Sequence, residues 1–134
     1  MKVDRVTEFK CLAERSRFFA VLFPAAGEEE VLKMVRLKKG EHRKANHHCW
    51  AFRAGGERSR DDGEVGHPGR VLLELLRRHD LEGGLLVSRV FGGVKLGVGG
   101  VSRAFREAGE GAIAAFETAK GKAEGKQREE KGKK

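Results

Sequence analysis

Short runs of apolar residues, many of them β-branched or aromatic, predict four β-strands. The strands are expected over residues 2–10, 16–23, 45–53 and 84–91. The run from Ser16 to Phe23 is the clearest, because it stops at Pro24, which has no N–H to donate to a continuing strand. Residues 54–66 are mostly polar and predict a loop.

Apolar residues at helical spacing predict three helices between and after these strands. The first opens with three glutamates, Glu28 to Glu30, at the positive end of the helix dipole, and closes at Gly40. The second begins at Pro68, which suits a first helical turn. The third starts near Gly100 and loses its apolar face after Thr118. The pattern predicts an α+β fold, a two-layer sandwich of about four strands in a mixed sheet with the helices on one face.

The segment from Arg89 to Arg103, the glycine segment, is the most informative part of the chain. It contains five glycines within nine residues: Gly92, Gly93, Gly97, Gly99 and Gly100. Valine and leucine separate these glycines, whereas a flexible linker would be polar. Glycine permits positive φ and close backbone approach, so the segment predicts either tight packing or a bound ligand.

An anion is the ligand that the glycine segment would favour. The segment leads into a helix N-terminus, where free N–H groups and the helix dipole attract negative charge. Arg89, Lys95 and Arg103 could add charged hydrogen bonds to a phosphate or a carboxylate. The spacings of the Walker A loop and of the dinucleotide-binding loop are both absent. Solvated charge at the edge of the sheet is the alternative interpretation.

Asp61, Asp62, Gly63 and Glu64, the acidic loop, precede the second predicted helix. Three carboxylates within four residues could hold a hard cation or act as an acid–base pair. The spacing of a calcium-binding loop is absent. The alternative is a turn whose acids lie near the positive end of the next helix.

His47, His48 and Cys49 form a second group of chemically active residues, with His42 and His67 nearby. On a strand, His47 and Cys49 share one face and His48 lies on the other, so few ligands converge for zinc. A cysteine nucleophile would need a histidine close in space, which adjacency in sequence does not establish. An ordinary core strand is the favoured interpretation, and no metal ligand or catalytic residue is assigned.

Charge divides the chain into a body and a tail. The chain has 134 residues and a net charge of +8, and residues 120–134 carry seven Lys or Arg against three Glu, which is half of that excess. We expect one domain over residues 1–119 and a basic, disordered tail from Lys120 to Lys134. The body is only mildly basic, so its charge does not imply a dedicated DNA-binding surface.

Cysteine content and the lengths of the apolar runs indicate the compartment. Two cysteines in 134 residues give no disulfide framework, which favours a reducing, cytoplasmic location. The first residues lead into no apolar region of the length that a secretory signal needs. The longest apolar stretch, residues 18–26, is far shorter than the roughly 20 residues that span a bilayer. No membrane partner is expected.

Four blocks of residues resemble, in order and spacing, the signature blocks of the IMPACT/YigZ family. The blocks are Ser16–Ala20, Ala45–Arg53, Asp61–Glu64 and Arg89–Arg103, within a resemblance that covers residues 14–116. The resemblance implies an α+β fold similar to the second domain of the fifth ribosomal small-subunit protein. It also implies translational control, because eukaryotic members relieve activation of the amino-acid-starvation kinase by competing for its ribosome-associated activator. It supplies no catalytic residue and no cofactor.

The chain departs from the family pattern at several positions. Val65 stands where the family usually has Pro, and Val90 and Phe105 stand where Tyr is expected. This chain therefore lacks the two tyrosine hydroxyl groups that the family pattern implies at these positions. Bacterial members also carry a second, ferredoxin-like domain, for which we find no counterpart in this sequence.

These observations lead to one expected function and two alternatives. We expect a non-enzymatic, ribosome-associated regulatory module whose acidic loop and glycine segment bind a protein partner in the translation machinery or ribosome. The Lys120–Lys134 tail would act as an electrostatic tether to RNA, with an affinity that falls steeply with salt. The first alternative is RNA binding by the folded body. The second is a small metal-dependent hydrolase, which would need its polar residues to converge in one concave pocket. Those residues would be Asp61, Asp62, Glu64, His67 and Lys95.

Overall fold

The structure is a computed structural model that describes residues 1–124, with side chains as far as Ala119. Its strands are β1 (Thr7–Ala13), β2 (Ser16–Phe23), β3 (His47–Arg53), β4 (Glu57–Arg60) and β5 (Gly83–Val90). Its helices are α1 (Glu28–Glu41), α2 (Pro68–Arg78) and α3 (Gly97–Glu124). Most of the predicted tail, residues 120–134, lies outside the described residues. The α+β class is confirmed.

The strands form one sheet in the order β1-β2-β5-β3-β4, and every neighbouring pair is antiparallel. The prediction of a mixed sheet was therefore wrong. β2 and β3 do run in the same direction, as expected for strands joined through α1, but β5 lies between them and is antiparallel to both. No parallel pair forms among these strands.

The sheet has five strands instead of about four, because β4 forms within the predicted polar loop. All four of its residues are exposed, so β4 carries none of the apolar residues by which a strand is recognised. It lies at one edge of the sheet and pairs with the last four residues of β3. The first strand also begins later than predicted, since residue 2 forms only an isolated bridge with Glu82.

The helices lie on both faces of the sheet, so the prediction of helices on one face was wrong. α2 and α3 cover one face, and their core includes Phe18 and Leu85. α1 covers the other face through Val31 and Val35, which pack with Trp50. The central strands carry apolar residues at successive positions, which a strand needs when both of its faces are covered.

α3 begins at Gly97, three residues before the predicted start near Gly100. It lies close to α2 at Gly109, where an added Cβ would come within 2.8 Å of the Leu75 side chain. A larger residue there would separate the two helices that build the main core. Within residues 1–124, no helix combines the length and the apolar character that crossing a membrane requires.

Candidate functional site

Each carboxylate of the acidic loop is bound by a different part of the fold. Asp61 Oδ1 accepts a hydrogen bond from the Gly69 N–H at 2.8 Å, which satisfies a free donor in the first turn of α2. Asp62 Oδ2 accepts one from the His48 N–H at 2.8 Å, just beyond the point where β3 stops pairing with β4. Gly63 makes the turn between them and Glu64 with a φ of +79°. The two aspartates therefore stabilise the local backbone.

Glu64 forms a buried ion pair with Arg89. Arg89 Nη1 donates to Glu64 Oε2 at 2.9 Å, and the two side chains are only 7% and 5% exposed. The guanidinium also donates to Ser16 Oγ through Nε at 3.3 Å and Nη2 at 3.2 Å. Desolvating two charges is costly, and these additional hydrogen bonds are what allows a buried pair to offset that cost.

The same buried network positions the glycine segment. Ser16 is fully buried, and its Oγ accepts a further hydrogen bond from the Gly92 N–H at 3.2 Å. At the other end of the segment, Ser102 Oγ donates to the Gly66 carbonyl at 2.7 Å. The glycine segment is thus joined to the acidic loop through Glu64 and to Gly66, two residues beyond that loop, so that the two parts form one surface.

The five glycines of the segment have different roles. A Cβ at Gly92 would collide with the backbone carbonyl of Arg15, so Gly92 is required for tight packing. Gly93 and Gly97 have φ values of +90° and +74°, which glycine adopts readily. Gly99 and Gly100 lie in the first turn of α3, where an added Cβ would meet the Arg103 guanidinium at Gly99 and the Leu96 side chain, 3.2 Å away, at Gly100. Tight packing therefore explains Gly92, and space remains beside Gly99.

The charged residues of the glycine segment are also divided between the interior and the surface. Arg89 is buried in the network, so its guanidinium is not available to a partner. Lys95 and Arg103 are exposed, and neither makes an ion pair with any residue that the structure describes. The Arg103 guanidinium lies back along α3, with Nη1 3.5 Å from the position that a Cβ on Gly99 would occupy.

Four apolar side chains in or beside the acidic loop and the glycine segment are exposed, and the sequence analysis did not assign them to the site. They are Val65, Phe91, Val94 and Val98. Val65 follows the buried Glu64, and the Phe91 ring lies 5.6 Å from the Arg89 guanidinium carbon. The apolar residues between the glycines were the available signal, but in the sequence they are equally consistent with core packing.

The histidine and cysteine group is structural. His48 lies on the α1 side of the sheet, where its Nδ1 is 2.7 Å from Ser88 Oγ and burial lowers its pKa. Cys49 is buried on the opposite side, and burial raises the pKa of its thiol far above the ordinary range. A thiol held in this protonated state is a poor nucleophile.

The remaining ring of this group, His47, contacts the acidic loop but completes no metal site. Its Nε2 is 3.7 Å from Glu64 Oε2, and its Nδ1 is 2.9 Å from the Asp62 carbonyl oxygen. Within the described part of the chain, no group of three or more His, Cys, Asp or Glu residues is arranged to hold a metal ion. Of the residues proposed for a hydrolase, His67 lies near Asp61, with its Nδ1 3.6 Å from Asp61 Oδ2, whereas the carboxylates of Asp62 and Glu64 are directed to β3 and to Arg89.

Comparison with known proteins finds similarity to one protein family. Residues 14–113 match the Impact N-terminal domain family. The chain is 43% identical over 96 residues to the IMPACT family member in the pol 5' region of Thermus thermophilus, covering 70% of the chain and 52% of that relative. It is 35% identical over 109 residues to the IMPACT family member YvyE of Bacillus subtilis, covering 77% and 50%.

A solved structure has the same fold. It is the crystal structure of a hypothetical protein, which is 30% identical in sequence and superimposes with a TM-score of 0.78. The match covers 82% of this chain and 57% of that one. The chain spans about half the length of the curated relatives that it matches.

Proposed function

The chain belongs to the IMPACT family, and we propose that it is a non-enzymatic, cytoplasmic binding module that regulates translation. Its partner would be a protein of the translation machinery or the ribosome. Translational control is what the family resemblance implies, and the exposed surface of this chain is suited to binding. We propose that the acidic loop supports this surface and that the glycine segment contacts the partner.

One observation carries this proposal: the buried Arg89–Glu64 pair fixes two distant segments into a single surface. A surface that is already ordered loses little conformational entropy when a partner binds. The surface presents apolar side chains and unpaired cations, whereas its carboxylates are hydrogen-bonded within the fold. These are the properties of a binding surface.

The basic tail, residues 120–134, has a separate role in this proposal. Its seven Lys and Arg residues would hold the chain near ribosomal RNA through phosphate contacts. Such contacts release counterions, so the affinity of the tether would fall steeply with salt. Recognition of the partner would remain with the folded domain.

Co-sedimentation with ribosomes tests both roles in the full chain, at about 50 and about 200 mM salt. One variant replaces every Lys and Arg of residues 120–134 with Gln. A second variant combines Lys95→Glu with Arg103→Glu on the glycine segment. Its matched control combines Lys33→Glu with Arg36→Glu, two exposed residues on α1, and changes the net charge by the same amount.

We expect the tail variant to lose binding mainly at low salt and to retain the salt-resistant part. The Lys95→Glu/Arg103→Glu variant should lose the salt-resistant part, and the α1 control should retain it. If the α1 control and the glycine-segment variant behave alike, the proposed surface is wrong. If purified ribosomal RNA competes away the salt-resistant binding, RNA recognition by the folded body replaces this proposal.

A further inference from the structure

The exposed part of the glycine segment has a mixed apolar and cationic composition. We call it the glycine surface and define it by six residues: Val65, Phe91, Val94, Lys95, Val98 and Arg103. Val98 is 59% exposed and Phe91 is 46% exposed, and the Phe91 ring lies 5.6 Å from the Arg89 guanidinium carbon. Exposed apolar side chains that are grouped and rimmed by charge are typical of sites that bind another protein.

The six residues of this surface include two cations, Lys95 and Arg103, and no carboxylate, and the carboxylates of the neighbouring acidic loop are bound within the fold. Glu64 pairs with the buried Arg89. Asp61 and Asp62 accept hydrogen bonds from backbone N–H groups of α2 and β3. Lys95 and Arg103 have no such partner among the described residues.

Close packing and hydrogen bonds at the start of the glycine segment distinguish this surface from a flexible basic loop. Gly92 packs directly against the backbone of Arg15, and its N–H is bound to Ser16 Oγ. Phe91 N–H donates to Asn46 Oδ1 at 2.8 Å, and Asn46 N–H donates to the Arg89 carbonyl at the same distance. The start of the glycine segment is therefore fixed by contacts with Arg15 and Ser16 and by a hydrogen bond to Asn46. The exposed apolar residues follow directly after this ordered backbone.

We propose that the glycine surface binds an acidic peptide segment of the partner, one that also carries large apolar side chains. This inference rests on the proposed function and specifies the chemistry of its partner. The carboxylates of the peptide would pair with Lys95 and Arg103, and its apolar side chains would cover Val94 and Val98. Opposite charge would speed association and exclude basic partners, and apolar burial would contribute most of the affinity.

A peptide fits this surface better than a nucleic acid does. Three of its four apolar side chains are valines, which offer no flat ring on which a base could stack. The aromatic member, Phe91, already has the Arg89 guanidinium near its ring. Only two cations rim the patch, whereas RNA binding draws on a larger number of phosphate contacts.

Fluorescence anisotropy with the full chain tests this inference. The probe is a labelled synthetic peptide that repeats Glu-Glu-Leu-Ser. Three competitors separate the contributions: the same repeat with Lys for Glu, the same repeat with Ser for Leu, and a single-stranded oligouridylate. Lys95→Glu with Arg103→Glu tests the charges, and Val94→Ser with Val98→Ser tests the apolar contacts.

The matched controls are Lys33→Glu with Arg36→Glu for charge, and Leu32→Ser with Leu37→Ser for exposed apolar residues on α1. We expect each glycine-surface variant to raise the Kd of the peptide about tenfold, because two contacts are lost or reversed. Each α1 control should change it less than about twofold. The Lys-containing and Ser-containing repeats should compete weakly.

The inference is overturned if the acidic peptide does not bind or if the α1 controls weaken it equally. It is also overturned if the oligouridylate displaces the peptide better than the unlabelled peptide does. If the peptide fails while ribosome binding still depends on Lys95 and Arg103, only the inferred partner chemistry is wrong. If both depend on neither residue, the proposed function fails as well.

Discussion

Arg89 contacts the acidic loop, β2 and the glycine segment. Its guanidinium donates to Glu64 and Ser16, and the rings of Phe18 and Phe91 lie 5.6 Å from its terminal carbon. It stands near the end of β5, beside the start of β2. A single buried cation therefore makes one of the two connections between residues 61–67 and the glycine segment, the other being the hydrogen bond from Ser102 to Gly66.

Removing this cation should be costly. Arg89→Met leaves the Glu64 carboxylate buried without its main partner, and we expect a loss of about 3–5 kcal/mol in the free energy of unfolding. Adding Glu64→Leu to Arg89→Met removes the unpaired charge and should recover much of that loss. Urea denaturation of both variants measures the difference. Equal stability of the single and double variants would show that the ion pair does not hold the two segments.

Glycine substitutions should separate the packed part of the segment from the open part. Gly92→Ala places a Cβ against the Arg15 carbonyl, which is backbone and cannot swing away, so we expect a loss of about 1–3 kcal/mol. Gly99→Ala meets only the flexible end of Arg103 and lies in a helix, so it should be neutral or stabilise by up to about 1 kcal/mol. Thermal or urea unfolding checks both, and a neutral Gly92→Ala would contradict the packing account.

Residue types in the sequence directed the prediction to the glycine segment but did not show what each of its charged residues does. A buried arginine that pairs internally and an exposed one that binds a partner have the same one-letter code. Arg89 and Arg103 were assigned together, yet one is buried and the other is exposed. The pairing of β5 with β2 places Ser16 beside Arg89. This contact shows that Arg89 is bound within the fold, whereas Arg103 is exposed.

The α1 layer is the part of the fold that should respond to acid. His48 faces this layer from β3, and His42 follows α1 and stacks on Phe19 with the ring centroids 4.1 Å apart. Burial lowers the pKa of both imidazoles, and the positive charge of Lys38 lowers that of His42 further. Both rings are therefore neutral in the folded protein at neutral pH.

Stability should fall as the pH drops below about 6.5, because the unfolded chain then binds protons that the folded chain resists. The loss should continue until the lowered pKa values of the folded state are reached. Each such proton contributes a slope of up to about 1.4 kcal/mol per pH unit. Urea denaturation between pH 7 and pH 5 should show a flatter dependence for His42→Gln combined with His48→Gln. Parallel pH profiles for the two proteins would contradict this account.

Elements with strong apolar runs were predicted well, and elements without them were not. β2, α1 and α2 begin where the sequence predicted them to begin. An apolar run marks β2, the glutamates Glu28 to Glu30 mark the first turn of α1, and Pro68 marks the first turn of α2. β4 was missed because it is an exposed edge strand held by backbone hydrogen bonds to β3. Backbone pairing of this kind leaves no pattern in the side chains.

The sheet separates two hydrophobic cores of different size. α1 closes one face with a small core, and α2 and α3 close the other with a larger one. The acidic loop precedes α2, and the glycine segment runs from β5 into α3, so both belong to connections on the α2–α3 side. The binding surface that we propose is thus built from connections and supported by the larger core.

The layer arrangement could not be obtained from periodicity alone. Continuous apolar runs in β2 and β5 indicate strands that are covered on both faces, but they do not show which helix covers which face. The position of β5 between β2 and β3 depends on long-range pairing, which local sequence does not encode. The IMPACT/YigZ family was predicted correctly from the sequence, because the resemblance rests on four blocks of residues that occur in the order of the family pattern.

The most direct test of the central claim is hydrogen–deuterium exchange of the full chain, free and bound to ribosomes. We predict that binding protects residues 61–67 and 91–103, the two segments that the buried pair joins, and leaves α1 unchanged. Protection of only one of these segments would contradict the claim that they form a single surface. Protection confined to α1 or β1 would place the binding site elsewhere on the fold.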